Sequence, residues 1–89
     1  MPWILLNSNA LHAAQYLDQE RLLDLEFCDG SAYRYFHVPA GTWEALLRAE
    51  SHGWYFNHQI RTRFHSLKIQ LTKAARERRS NPGPEPASP

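Results

Sequence analysis

The sequence predicts an α+β fold: a three-stranded antiparallel meander followed by two helices packed on one face, with a basic C-terminal helical extension. Three observations carry this reading. Strand-like alternation fills residues 10–36, interrupted by one polar turn and one Asp-Gly turn; helical periodicity begins just after Pro39; and basic residues crowd the chain beyond Phe64. At 89 residues the chain suits one domain, divided into a core at 1–64, a basic extension at 65–79 and a disordered Pro-rich tail at 80–89. Its core must be modest, since small domains of about 60 residues remove only ~60 % of their unfolded surface from water.

The first strand lies in "ALHAAQYLD", residues 10–18, where Leu11, Ala13 and Gln15 share one parity and His12, Ala14 and Tyr16 the other, so its facing stays open. After the polar turn at Asp18, Gln19 and Glu20, "RLLDLEF" alternates cleanly. Leu23, Leu25 and Phe27 fall on one face, Asp24 and Glu26 on the other. "SAYRYF" returns as the third strand, and the turn at Asp29-Gly30 decides how the two pair. A two-residue loop would oppose Cys28 to Ser31 and bury Arg34 against Leu25. A type I turn over Cys28 and Asp29, with Gly30 as a left-handed bulge residue, instead opposes Phe27 to Ser31, Leu25 to Tyr33, Leu23 to Tyr35 and Asp24 to Arg34. The second register gathers every apolar side chain on one face, each worth about 1.5–3 kcal/mol when buried. Tyr33 and Tyr35 then point inward instead of offering a stacking platform, and Asp24 with Arg34 forms a surface pair worth ~0–1 kcal/mol.

Val38 before Pro39 is pushed toward extended geometry, and Pro39 suits the first turn of a helix. Trp43, Leu46 and Leu47 follow at helical spacing, with Glu44 and Arg48 one turn apart on the outer side. Ser51 suits an N-cap for a second helix, and Gly53 permits a tight turn before "WYFNHQIRTRF", where Phe56, Ile60 and Phe64 recur every four residues. Beyond, "SLKIQLTKAARERR" reads as further helix, and "SNPGPEPASP", with four prolines and a glycine in ten residues, reads as a disordered end.

Net charge is unevenly spread. Residues 1–50 hold three arginines against seven acidic residues, whereas residues 51–80 hold seven basic residues against Glu77 alone. Such clustering favours a polyanionic partner. Cys28 is the lone cysteine, and the N-terminus has no basic stretch leading into a long apolar run, so a cytoplasmic location is expected. Apolar runs such as "WILL" are far shorter than the ~20 residues of a membrane span.

The order of features resembles the KTSC domain family: Asn7-Ser8, Tyr16-Leu17-Asp18, Asp29-Gly30, "YRY" at 33–35, "VP" at 38–39, "AESHG" at 49–53 and "YFNHQIR" at 55–61. The family is named for its occurrence at the C-terminus of some lysyl-tRNA synthetases and is also found as a stand-alone bacterial protein. The resemblance spans roughly residues 4–64 and implies RNA binding as an expectation. Gln15 stands here where the family usually has glycine.

No catalytic constellation accompanies these motifs. His52, His58 and His65 lack companion ligands at metal-binding spacing, and Cys28 has no adjacent base, so neither an enzyme, a metal site nor a cofactor is expected. The strongest functional segment is the second helix. Asn57 and Arg61 lie one turn apart beside Trp54 and His58, a polar and aromatic face suited to phosphate and base. The competing reading has Asn57 bracing the turn near Gly53 and Arg61 paired with an acidic residue of the sheet. The expected function is a small non-enzymatic RNA-binding module: Trp54, Tyr55 and His58 stack bases, Asn57 assists, and Arg61, Arg63, Lys68, Lys73, Arg76, Arg78 and Arg79 hold phosphates. The alternative is a protein-interaction adaptor centred on Trp54.

Overall fold

Antiparallel pairing dominates the computed structural model, which describes residues 3–72. One sheet of five strands, ordered in space as in the chain, contains β1 (Ile4–Leu5), β2 (Leu11–Leu17), β3 (Leu22–Phe27), β4 (Ala32–Tyr35) and β5 (Ser66–Ile69). Between β4 and β5 come α1 (Ala40–Arg48), α2 (His52–Tyr55) and a π-helical turn over Phe56–Ile60. The expected α+β class with two helices is present, but the sheet has five strands and not three. At two residues, β1 is too short to display alternation. The helix expected from residue 65 is replaced over Ser66–Ile69 by β5, which pairs Arg34 with Leu67 and Ala32 with Ile69 along the edge of β4. Those pairings satisfy backbone groups that β4 would otherwise leave open. The rest of the expected extension, residues 73–79, and the tail at 80–89 lie outside the described residues.

The turn after β3 has the bulged geometry. Gly30 sits at φ +93°, the Phe27 N–H donates to the Ser31 carbonyl at 2.8 Å, and the Gly30 N–H donates to the Phe27 carbonyl at 2.9 Å. Asp29 Oδ1 accepts from both the Ser31 N–H and the Ser31 hydroxyl, which holds its carboxyl below the usual carboxylate value. Leu23 therefore pairs with Tyr35, Asp24 with Arg34 and Leu25 with Tyr33.

The helices cover the face formed by Leu23, Leu25 and Tyr35. Tyr16 stacks on Trp43 with centroids 5.6 Å apart, and Phe56 meets Tyr35 and Phe27 edge to face. The facing of β2 resisted its sequence for a physical reason. The register shifts between Leu11 and Ala13, and this irregularity at His12 lets Leu11 join Ala14 and Tyr16 in the core despite opposite parity. Passage from β4 to α1 is pinned at His37, which adopts a left-handed φ of 61°. The Phe36 N–H donates to His65 and the Val38 N–H to Arg21, while the Val38 carbonyl accepts the Tyr16 hydroxyl at 2.6 Å.

On the other face the expected surface pair is a buried one. Asp24 is 1 % exposed and accepts two hydrogen bonds from Arg34 and a third from Gln15 Nε2. Glu26, placed with Asp24 on the face away from the leucines, is buried as well. The reason is position: with β1 and β5 added, β3 is the central strand, and Trp3, Ile69 and Leu71 gather with Gln15 around the pair.

Two consequences can be measured. Arg34→Met strands the Asp24 carboxylate and lowers stability by about 2–3 kcal/mol, below the range for a fully buried pair because Arg34 keeps access to water. Urea unfolding checks this, and adding Asp24→Asn restores most of the loss. Burial pushes the Tyr16 and Tyr35 phenols above their ordinary value of 10.0. Because the unfolded chain ionises first, their stabilising effect is whole below about pH 10 and is lost as pH rises through the raised values. Urea midpoints should fall from about pH 9 to about pH 11, and fall less in a Tyr16→Phe/Tyr35→Phe variant.

Candidate nucleic-acid interface

Ser51 begins the helical segment that carries the candidate site. Extended at φ −126°, it accepts the Trp54 N–H on its hydroxyl at 3.1 Å, while its carbonyl accepts the Tyr55 N–H. That satisfies donors which a helix start leaves open. His52 ties this start to α1: its Nδ1 donates to the Leu46 carbonyl at 2.8 Å. Gly53 sets the segment against the loop before β2, where an added Cβ would stand 3.4 Å from Ala10 Cβ and 3.8 Å from Ser8 Oγ. Ser8 in turn shapes that loop by accepting the Ala10 and Leu11 N–H groups on its hydroxyl. The "NS" and "AESHG" motifs thus face one another across a groove of ≈ 270 Å³ bounded by residues 7–10 and 50–53. Sequence reasoning singled out both motifs without joining them, since more than forty residues separate Ser8 from Gly53 and only tertiary packing brings them together.

Trp54 projects from this start with 56 % of its surface exposed. His58 lies over it, with ring centroids 4.0 Å apart and planes 16° from parallel. The His58 Nδ1 donates to the Trp54 carbonyl at 2.9 Å, fixing the imidazole over the indole and turning Nε2 outward. Beside Trp54 opens a second cleft of ≈ 340 Å³, bounded by residues 49–51 and by Tyr55.

The other expected site residues divide. Tyr55 is half-buried and packs against the core, so it serves as a wall more than as an open stacking surface. Asn57, Arg61 and Arg63 are exposed. The Phe56–Ile60 turn is wide, its last bond running from the Arg61 N–H to the Phe56 carbonyl at 2.9 Å, and residues 61–63 leave the helix as a turn. Neither structural role considered for this face is found: Asn57 braces no turn, and among the described residues the only ion pair is Arg34 with Asp24, which leaves Arg61 and Arg63 unpaired. Ser51 and His52 do the bracing instead. Lys68 is exposed on β5 and acts electrostatically on Asp29 at the hairpin turn, apart from the helix. Lys73, Arg76, Arg78 and Arg79 lie outside the described residues. Among the described residues no group of three or more His, Cys, Asp or Glu side chains is placed to hold a metal ion, and no helix is long and apolar enough to cross a membrane.

The sheet, its two helices and the paired motif loops define a small domain class, and the KTSC domain matches residues 7–64. The chain belongs to the KTSC domain family. It is similar to a protein of Tsukamurella paurometabola, 36% identical over 64 residues that cover 72% of this chain and 96% of the relative. An uncharacterised protein of Stutzerimonas stutzeri is 39% identical over 57 residues, covering 64% of this chain and 80% of its own. Among solved structures, the crystal structure of a KTSC domain protein from Yersinia pestis superposes with a TM-score of 0.74 at 25% identity, over 75% of this chain and 94% of that one.

Because Ser51 closes the helix start that presents Trp54, Ser51→Ala should cost about 1 kcal/mol in thermal or urea unfolding, with Ser51→Asp retaining most of the stability.

Proposed function

We propose that this domain is a small non-enzymatic module that binds single-stranded RNA. The observation that carries the reading is the Trp54–His58 stack: an aromatic pair held in place by a backbone hydrogen bond, yet left open to solvent on a small domain. Exposed aromatic faces offer bases a stacking surface worth ~1–3 kcal/mol each without demanding a sequence. Arg61 and Arg63 follow seven and nine residues on, just beyond the π-helical turn, and their guanidinium groups are unpaired among the described residues. Lys68 on β5 and, further along the sequence, Lys73, Arg76, Arg78 and Arg79 add to this cationic capacity. A reducing, cytoplasmic setting accords with Cys28, which is free and exposed.

Filter binding of labelled single-stranded RNA at several salt concentrations tests the proposal. With five to seven cations engaged, log K should fall against log salt with a slope of roughly −3 to −5. Arg61→Ala should reduce the steepness by about 0.7, and Trp54→Ala should weaken binding about tenfold or more at every salt concentration without altering the slope. Absence of binding, or a Trp54→Ala variant that binds as well as the parent, overturns the reading and leaves a protein partner as the occupant of this face.

A further inference from the structure

We propose that the cleft beside Trp54 is a base pocket selective for guanine, with the Glu50 carboxylate as the selecting group. The inference rests on the RNA-binding reading above and names the base that the site prefers.

Three features converge on the cleft. Its volume of ≈ 340 Å³ lies at the lower end of the range for small-ligand sites and is ample for one purine. One wall is the indole of Trp54, already steadied by His58, which supplies the stacking surface. The wall contributed by residues 49–51 brings Glu50, which stands between this cleft and the groove of residues 7–10 and whose carboxylate is engaged in no hydrogen bond or ion pair among the described residues. Ser51, its neighbour in the same wall, has its hydroxyl turned back to the Trp54 N–H. The chemistry offered is therefore the exposed indole plane, the half-buried Tyr55 as a second wall, and one free acceptor pair.

A carboxylate accepts hydrogen bonds only, through two oxygens set side by side. Guanine alone among the four bases presents two adjacent donors on one edge, N1–H and the N2 amino group, spaced to meet both oxygens. Cytosine and adenine offer an amino group beside a ring acceptor, which the carboxylate repels. Uracil offers a single N–H flanked by two carbonyl oxygens. The same negative charge turns phosphates away from this end of the segment, so that the backbone leads from Glu50 toward Arg61 and Arg63. Charge thus orders the strand as stacking selects its position.

Heptauridylates carrying one central G, A, C or U, too poor in guanine to form quadruplexes, provide the test. Trp3 and Trp43 are buried, so quenching of tryptophan fluorescence reports chiefly on Trp54. The central-G oligomer should bind about tenfold more tightly than the other three, the scale of one bidentate base contact. Glu50→Gln, at an exposed position, should keep the parent's circular dichroism and thermal midpoint while its preference for G falls to within about twofold, because the amide presents a donor to the N2 amino group. Equal binding of all four oligomers, or a G preference that survives Glu50→Gln, overturns the guanine assignment and leaves the stacking reading intact. Failure of every oligomer to bind overturns both.

Discussion

The left-handed conformation of Gly30 fixes the pairing of β3 with β4, and most of the remaining architecture follows from it. A side chain at that position would resist φ +93°, and a turn shorter by one residue would exchange the two faces of β4. Tyr35 would then leave Phe56, and Arg34 would enter the core among leucines. With the observed register, apolar side chains collect beneath the helices while Arg34 meets Asp24 on the opposite face. The turn uses its own polar groups to hold that geometry, since Asp29 accepts two hydrogen bonds from Ser31.

Packing carries this constraint to the surface. Tyr35 and Phe27 both meet Phe56 edge to face, so the register of the hairpin locates the first residue of the π-helical turn. Phe56 and Ile60, both buried, are four residues apart. In an ideal α-helix that spacing drifts by about 40° per repeat, and the wider turn reduces the drift so that both residues stay on the core. The preceding turn, anchored by Ser51 and Gly53, has no such inward demand at Trp54. Exposure of the indole is thus the remainder left when its neighbours have satisfied the core.

Much of this was legible in the residues. Clean alternation in β3, the Asp-Gly turn and the inward tyrosines follow from a preference for burying leucine over arginine, and the Ser51 cap follows from its hydroxyl. Three things were not. The extra residue at His12 confuses the parity of β2, because a bulge has no compositional mark. The strands β1 and β5 depend on partners distant in sequence, and over Ser66–Ile69 the four-residue spacing of Leu67 and Leu71 imitates a helical stripe while the strand itself shows no alternation of burial. The depth of Asp24 was hidden for the same reason, since strand order decides which strand is central. The aromatic and cationic residues of the candidate interface were visible individually, whereas the groove between residues 7–10 and 50–53 exists only after folding.

The flanks of the sheet bear on the company this domain keeps. On one side β1 offers just two residues of ladder, and on the other β5 carries the charged Lys68, which a docking strand would have to strip of water. Both are poor templates for edge-to-edge growth into fibrils. Neither described margin of the sheet therefore offers a second molecule a long, uncharged ladder to extend.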